Sequence, residues 1–177
     1  MLKKIMIIGS AGAGKSTLAR KLEEITEIEA IHMDTLFWTK DWIPVSQEEL
    51  FEKVEKIVER DSWIIDGNYS KSMDIRFDSA DAIIFLDIPL WLCLYRVIKR
   101  RIIYANKTRP DMAKGCKEKI DWEFTQWIIN YHRKKKKKVC NKINSYANSK
   151  KVFIIKNHID KEKLLDLIEK DKMQRLL

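Results

Sequence analysis

Short apolar runs alternate with longer amphipathic ones along the chain. Lys4 to Ile8, Ile28 to Met33, Trp63 to Ile65, Ala82 to Leu86 and Val152 to Ile155 read as strands, and several are apolar on consecutive positions rather than on alternate ones. That pattern predicts a sheet covered on both faces. Lys15 to Glu24, Ser46 to Arg60, Leu90 to Ile103, Asp121 to Tyr146 and Lys161 to Met173 read as helices. Ser46, followed by Glu48 and Glu49 and then by Leu50, Val54 and Ile57, forms a capped helix start. Strand alternating with helix implies right-handed crossovers, hence an α/β fold with a parallel sheet and helices on both sides.

A chain of 177 residues fits one domain over 1–177, large enough to bury roughly 70% of its unfolded surface. No repeat is visible, and no Pro-, Gly- or Ser-rich linker divides it. The low-complexity tract is Arg133 to Lys138, and a sub-domain is expected as an insertion around 104–147. Hydrophobic residues make up 45% and charged residues 34%, and no apolar run approaches the roughly 20 residues that cross a bilayer. A soluble protein without membrane partners is expected. Met1 to Lys4 leads directly into the first strand with no small-residue cleavage site behind it, so no signal peptide and a cytoplasmic location are expected. Cys93, Cys116 and Cys140 are far apart and match neither a disulfide framework nor paired zinc ligands. The formal charge of +9 by itself favours anionic partners, whether phosphates, nucleic acid or anionic membranes.

The stretch from Ile5 to Arg20, "IMIIGSAGAGKSTLAR", narrows these possibilities. Gly9, Gly14, Lys15 and Ser16 match G-x-x-x-x-G-K-[ST], with a strand before and a helix after. Glycines in such a P-loop let successive N–H groups point inward at phosphate oxygens, and the helix N-terminus adds its positive end. Gly9, Ser10, Ala11, Gly12, Ala13, Gly14, Lys15, Ser16 and Thr17 are therefore the expected ATP-binding residues. Lys15 would reach the β- and γ-phosphates, and Ser16 would offer its hydroxyl to Mg²⁺. The dinucleotide fingerprint G-x-G-x-x-G, begun at Gly12, would need a glycine where Thr17 stands. In "WIIDGNYS", Asp66 ends a strand and Gly67 permits close backbone approach. A carboxylate there is the expected second holder of the metal, or else part of an Asp-Gly turn. Asp87 is the competing carboxylate, but Pro89 opens a helix directly after it, which suits a capping or loop-fixing role.

"GSAGAGKSTLAR", "HMDTLFW", "WIIDGNY", "FLDIPLWLCLYRVIKRR", "TRPDM" and "DWEFTQW" together resemble the FlaR-type DNA topology modulation proteins, within the adenylate kinase-like P-loop group. The resemblance runs from Ile5 to about Ile155. It implies a P-loop NTPase fold of three layers, α/β/α, with a five-stranded parallel sheet, an acceptor-binding region after the second strand and a helical lid insertion after the fourth. Asp66 and Gly67 resemble the Asp-Gly after the third strand of nucleoside monophosphate kinases. There the following residues are apolar and then Pro-Arg; here Asn68 and Tyr69 depart from that pattern. Arg96 and Arg100 resemble the two arginines of the helix leading into the lid, and Arg109 resembles a lid arginine. With Lys15 they are the expected catalytic cations, placed where charge grows during phosphoryl transfer. Cys116 alone cannot supply the zinc-bearing lid of some adenylate kinases.

Acceptor-side residues read in two ways. Asp34, just beyond the second strand, would orient an acceptor hydroxyl or amine, or would cap the short turn that follows. Gly67, Asn68 and Arg76 are further candidates for the acceptor, with Arg76 either holding an anion or lying at the surface. His32 is a packed strand residue or a base. Phe37, Trp38 and Trp42 stack a flat ring or close a core. The expected function is ATP- and Mg²⁺-dependent phosphotransfer to a small-molecule, nucleotide-like acceptor. The alternative is a DNA-binding P-loop NTPase, for which Arg133 to Lys138 and the aromatics Trp122, Phe124, Trp127 and Tyr131 stand. No helix-turn-helix spacing or RNA-binding signature accompanies them. A nucleotide-switch ATPase acting on a protein partner is compatible with the same residues.

Overall fold

The computed structural model describes residues 2–105, 107–117 and 121–174. Strands β1 (Lys4–Gly9), β2 (Ala30–His32), β3 (Trp63–Asp66), β4 (Ala82–Leu86) and β5 (Lys151–Ile155) form a five-stranded sheet in the order β2-β3-β1-β4-β5. Each neighbouring pair is parallel. The helices are α1 (Lys15–Thr26), α2 (Met33–Phe37), α3 (Gln47–Val58), α4 (Met73–Ser79), α5 (Leu90–Ile103), α6 (Trp122–Asn130), α7 (Lys136–Tyr146) and α8 (His158–Met173).

The consecutive apolar runs are explained by two cores, one on each face of the sheet. Ile5 and Ile7 of β1, with Ile84 and Leu86 of β4, pack against Leu18 and Leu22 of α1, Cys93 and Val97 of α5, and Leu164 and Leu165 of α8. Met6, Ile8, Ile65, Ile83 and Phe85 point the other way, against Leu50, Val54 and Ile57 of α3, Phe77 of α4, and Val139 and Ile143 of α7. Burying each such side chain contributes roughly 1.5–3 kcal/mol, so neither face tolerates a polar alternation. The edge strand β5 is looser, with Ile154 49% exposed.

The predicted helix starts are met by side-chain caps. Ser46 Oγ accepts from the Glu49 N–H at 3.0 Å, and Asp121 Oδ1 accepts from the Phe124 N–H at 2.7 Å. Asn157 caps α8 by accepting from the Asp160 N–H at 2.9 Å, which starts that helix at His158 rather than at Lys161. The expected long helix over Asp121 to Tyr146 is interrupted by a wider π-helical turn, Tyr131–Lys135, between α6 and α7. Helices α2 and α4 are too short for their periodicity to be read from sequence.

After α5 the chain folds back over the sheet's carboxyl edge. Thr108 and Lys117 pair as an antiparallel bridge, and so do Trp38 and Pro44. The two loops meet where Cys116 Sγ donates to the Thr39 carbonyl at 2.9 Å and Trp42 Nε1 donates to the Lys117 carbonyl at 2.9 Å. Part of the expected 104–147 insertion, residues 106 and 118–120, lies outside the described residues. Among the described residues no helix is long and apolar enough to cross a membrane.

Candidate active site

The P-loop joins the end of β1 to the start of α1, and its shape depends on glycine. Gly12 has φ 77°, and a Cβ there would lie 2.3 Å from the Cys93 carbonyl oxygen of α5; only a glycine lets the loop sit on that helix. Gly14, at φ 100°, is the N-cap of α1 and provides no side-chain cap, leaving the first-turn N–H groups open to an anion. Ser10 and Ala13 are buried, Ala11, Gly12, Gly14 and Ser16 half-buried, and Thr17 exposed. Lys15 folds back along the loop, its Nζ donating to the Gly9 carbonyl at 3.1 Å and the Ser10 carbonyl at 3.0 Å. Burial pushes the Lys15 ammonium below its ordinary pKa, an effect reinforced by Arg100 and opposed by the charges of Asp66 and Asp34. Both carboxylates therefore act on the lysine that marks the phosphate site.

Asp66 stands at the carboxyl end of β3, 4% exposed. Its neighbour in the β2–β3 register is His32, whose Nδ1 lies 3.0 Å from Asp66 Oδ1. Burial works against the charged imidazole, but the hydrogen bond and charge of Asp66 outweigh it and hold His32 above its ordinary pKa. Among the described residues no group of three or more His, Cys, Asp and Glu side chains could cage a metal. One carboxylate and one serine hydroxyl are hard oxygen donors of the number Mg²⁺ takes from a protein when phosphate oxygens and waters complete its shell.

The next residues fasten the acceptor side to the P-loop. A Cβ on Gly67, at φ 126°, would lie 2.7 Å from Met33 Cβ, so the loop passes against the start of α2. The Asn68 amide clamps Gly9 twice, accepting from its N–H at 3.2 Å and donating to its carbonyl at 2.9 Å. Tyr69 donates its hydroxyl to Asp34 Oδ1 at 2.6 Å. The α2 N-cap is His32, without a side-chain cap bond; Asp34 lies inside the helix and takes the tyrosine instead. Burial and the Asp34 charge push the Tyr69 phenol far up. Phe37 packs between Trp38 and Tyr69, with ring centroids 4.7 and 5.1 Å away.

Arg76 requires a correction. It is neither a surface residue nor open to an acceptor anion, being fully buried at 0% exposure. Its guanidinium donates to the backbone carbonyls of Gly67, Asn68, Tyr69 and Ser72 at 2.7, 2.6, 3.1 and 3.0 Å. Those carbonyls lie outside the sheet ladder, and the arginine supplies hydrogen bonds to all four, Tyr69 accepting from the Ser72 N–H at 3.2 Å as well.

The lid-side arginines take different partners. Arg96 Nη1 donates to the Ala13 carbonyl of the P-loop at 3.1 Å, and Arg100 acts on Lys15. Arg109, 8% exposed, pairs with Asp111 at 3.0 Å. Asp111 also lies 3.8 Å from Arg20, and the Ser16 hydroxyl is near enough to favour its ionised form. Burial alone would raise its carboxyl, but Arg109, a backbone N–H and Ser16 more than offset that and hold it below its ordinary pKa. The position of Asp111 beside Arg20 and Ser16 has no signal in the sequence, although "TRPDM" carried the residue. No local pattern brings position 111 to position 16.

Asp87 does not cap α5, whose N-cap is Pro89. It fixes the loop by pairing with Lys136 at 2.5 Å. The basic tract around it lies on the π-helical turn and the start of α7. Tyr131 and Ile128 are buried, whereas Trp122 is 71% exposed and Trp127 stacks between Phe124 and Tyr131 with Lys135 over its ring at 5.6 Å.

No family model matches the chain. Adenylate kinase of Thermotoga maritima is 31% identical over 81 residues, which cover 46% of this chain and 36% of that enzyme. The chain thus spans about a third of the length of that curated relative. The uncharacterized protein YqaC of Bacillus subtilis is 28% identical over 137 residues, covering 74% of each chain. Shikimate kinase from Acinetobacter baumannii, solved in complex with shikimate, superposes with a TM-score of 0.59 at 15% identity, covering 100% of this chain and 96% of that one. The three-layer architecture around the parallel sheet is the P-loop kinase fold.

Proposed function

We propose that the chain is an ATP- and Mg²⁺-dependent phosphotransferase that moves the γ-phosphoryl group of ATP to a hydroxyl of a small molecule. The observation that carries this reading is the meeting, at the carboxyl ends of the strands, of the P-loop with the Asp66 to Tyr69 turn, tied by the two Asn68 hydrogen bonds to Gly9 and extended to Asp34 by the Tyr69 hydroxyl. In this reading Gly9 to Thr17 hold the nucleotide phosphates. Ser16 and Asp66 would hold Mg²⁺, which when bound supplies positive charge to the phosphate oxygens.

Asp34 accepts the hydrogen bond of the acceptor hydroxyl, and Tyr69 fixes the carboxylate that does so. The acceptor oxygen forms a bond to the γ-phosphorus as the bond to the ADP oxygen breaks, and the hydroxyl proton passes to Asp34. Lys15, Arg96 and Arg100 neutralise charge on the migrating group. Arg109, paired with Asp111 beside Ser16, would turn to the phosphates of the bound nucleotide. Membership of the adenylate kinase-like FlaR-type group belongs to the same reading, as do a single domain over 1–177 and a cytoplasmic location. The test is a phosphotransfer screen over nucleosides, nucleotides and small metabolites, measuring ADP released above the no-acceptor blank. An acceptor-dependent excess supports transfer; ATP turnover stimulated by duplex DNA and by no small molecule contradicts it.

A further inference from the structure

Helix α5 carries apolar side chains on two opposite faces. One holds Cys93 and Val97, which lie against Gly12 of the P-loop. The other holds Trp91, Tyr95, Ile98 and Ile102, each 56–72% exposed. Their spacing along the chain, four, three and four residues, is the a/d spacing of a coiled-coil seam. At 3.6 residues per turn the four side chains fall within a wedge of about 60°. Tyr95, Ile98, Lys99 and Ile102, at i, i+3, i+4 and i+7, line a groove of about 330 Å³, the four-residue hole that takes a knob from a facing helix. We infer that this face of α5 is a self-association surface, on which α5 of a second copy packs antiparallel about a two-fold axis.

The charges beside the seam set the direction. Lys99 and Arg101 flank it, both in the C-terminal half of α5. A parallel pair would bring each toward its own counterpart, like charge to like charge. With the axis at the middle of the helix, between positions 96 and 97, an antiparallel pair sets Lys99 opposite Leu94 and Arg101 opposite Leu92 of the second copy. The same axis puts Trp91 on Ile102 and Tyr95 on Ile98, and aims Tyr95 at the groove. Each contact occurs twice, as an isologous interface requires. Taking about 150–250 Å² for an aromatic side chain and about 60–120 Å² for an isoleucine, the exposed fractions of the four leave about 250–450 Å² in water per chain. That is the size at which a surface patch marks an interaction site. Two such seams, with the stems of Leu94, Lys99 and Arg101 at the rim, approach the roughly 1,200 Å² at the lower bound of stable interfaces, so the dimer should be concentration-dependent. The seam faces away from the P-loop, and pairing leaves the nucleotide site open.

Sedimentation equilibrium of the full chain over about 1–300 μM, a range suited to an interface of this size, should show a monomer converting to a dimer. Ile98→Glu places a charge beside the axis in both copies and should weaken dimerisation by at least about tenfold, with Tm in dilute solution within about 2 °C of wild type. Ile102→Ser, a milder change, should weaken it by about threefold or more. Trp91→Cys mixed with Ile102→Cys should crosslink between chains through a short thiol reagent faster than either variant alone. Should Ile98→Glu fail to fold, Ile102→Ser and the crosslinks decide. A chain that stays monomeric throughout, a dimer indifferent to the substitutions, or crosslinking of either cysteine variant to itself in preference to the mixture overturns the inference. So does a monomer that sediments with phosphatidylserine vesicles and loses them on Ile98→Glu, which would give the face to a lipid surface.

Discussion

Replacing Arg76 tests whether a buried cation builds this site from within. Arg76→Met keeps the length and apolar stem but removes the four hydrogen bonds to the carbonyls of Gly67, Asn68, Tyr69 and Ser72. A hydrogen bond to a charged group has a net value of about 1.5–3 kcal/mol, so four would sum to about 6–12 kcal/mol. Removing the guanidinium also removes the cost of its desolvation, and loss of one partner from a buried charged network typically costs about 3–5 kcal/mol. For a chain of this size each kcal/mol moves Tm by about 2–4 °C, so a fall of about 10–15 °C is expected by circular dichroism. Arg76→Lys retains a cation with fewer, unforked donors and should fall between the two. The turn held by Arg76 carries Asn68, whose amide clamps Gly9, so the affinity for MgATP should weaken as well. A Tm for Arg76→Met within about 2 °C of wild type would refute the reasoning.

Asp66→Asn keeps the shape of the side chain and removes its charge; the Mg²⁺ concentration for half-maximal turnover should rise and turnover should fall, whereas a change in Tm alone would assign Asp66 to the turn. Arg96→Ala and Arg100→Ala should reduce transfer more than they weaken ATP binding, measured by turnover and calorimetry on the same samples, and equal losses would indicate a structural role. The lowered pKa of Asp111 means that its ionised form contributes stability above the unfolded value of about 3.9 and loses it as pH falls through the folded one. Asp111→Asn should therefore lower Tm at pH 6, by a difference that shrinks as pH falls below about 4; a difference that stays constant on acidification would remove the carboxylate from the cause.

Sequence periodicity located the sheet and its two cores because each strand is buried on both sides, as Ile5 and Ile7 against Met6 and Ile8 demonstrate. The P-loop was legible for a different reason: its glycines and lysine are fixed by local backbone geometry and phosphate chemistry within a few residues. Contacts set by tertiary register were not legible. His32 meets Asp66 only because β2 and β3 pair in parallel with those residues adjacent. Arg76 looked like an anion binder or a surface residue because nothing in "MDIRFDS" says that its side chain folds back onto the carbonyls of the turn at 67–69. Asp111 reaches Ser16 through the fold-back after α5, a path with no periodic signature. Short elements such as α2 and α4 carry too few turns to declare a face.

The role proposed for Lys15 is to handle the phosphates of ATP rather than to stabilise the fold. Its Nζ lies on the carbonyls of Gly9 and Ser10, and burial disfavours its charge, so the folded chain gains little from keeping it there. The direct measurement is ATP turnover by Lys15→Ala at saturating MgATP, alongside thermal unfolding of the same sample. Turnover should fall by at least about a hundredfold, with Tm unchanged or raised. Turnover equal to wild type in the folded variant would contradict it.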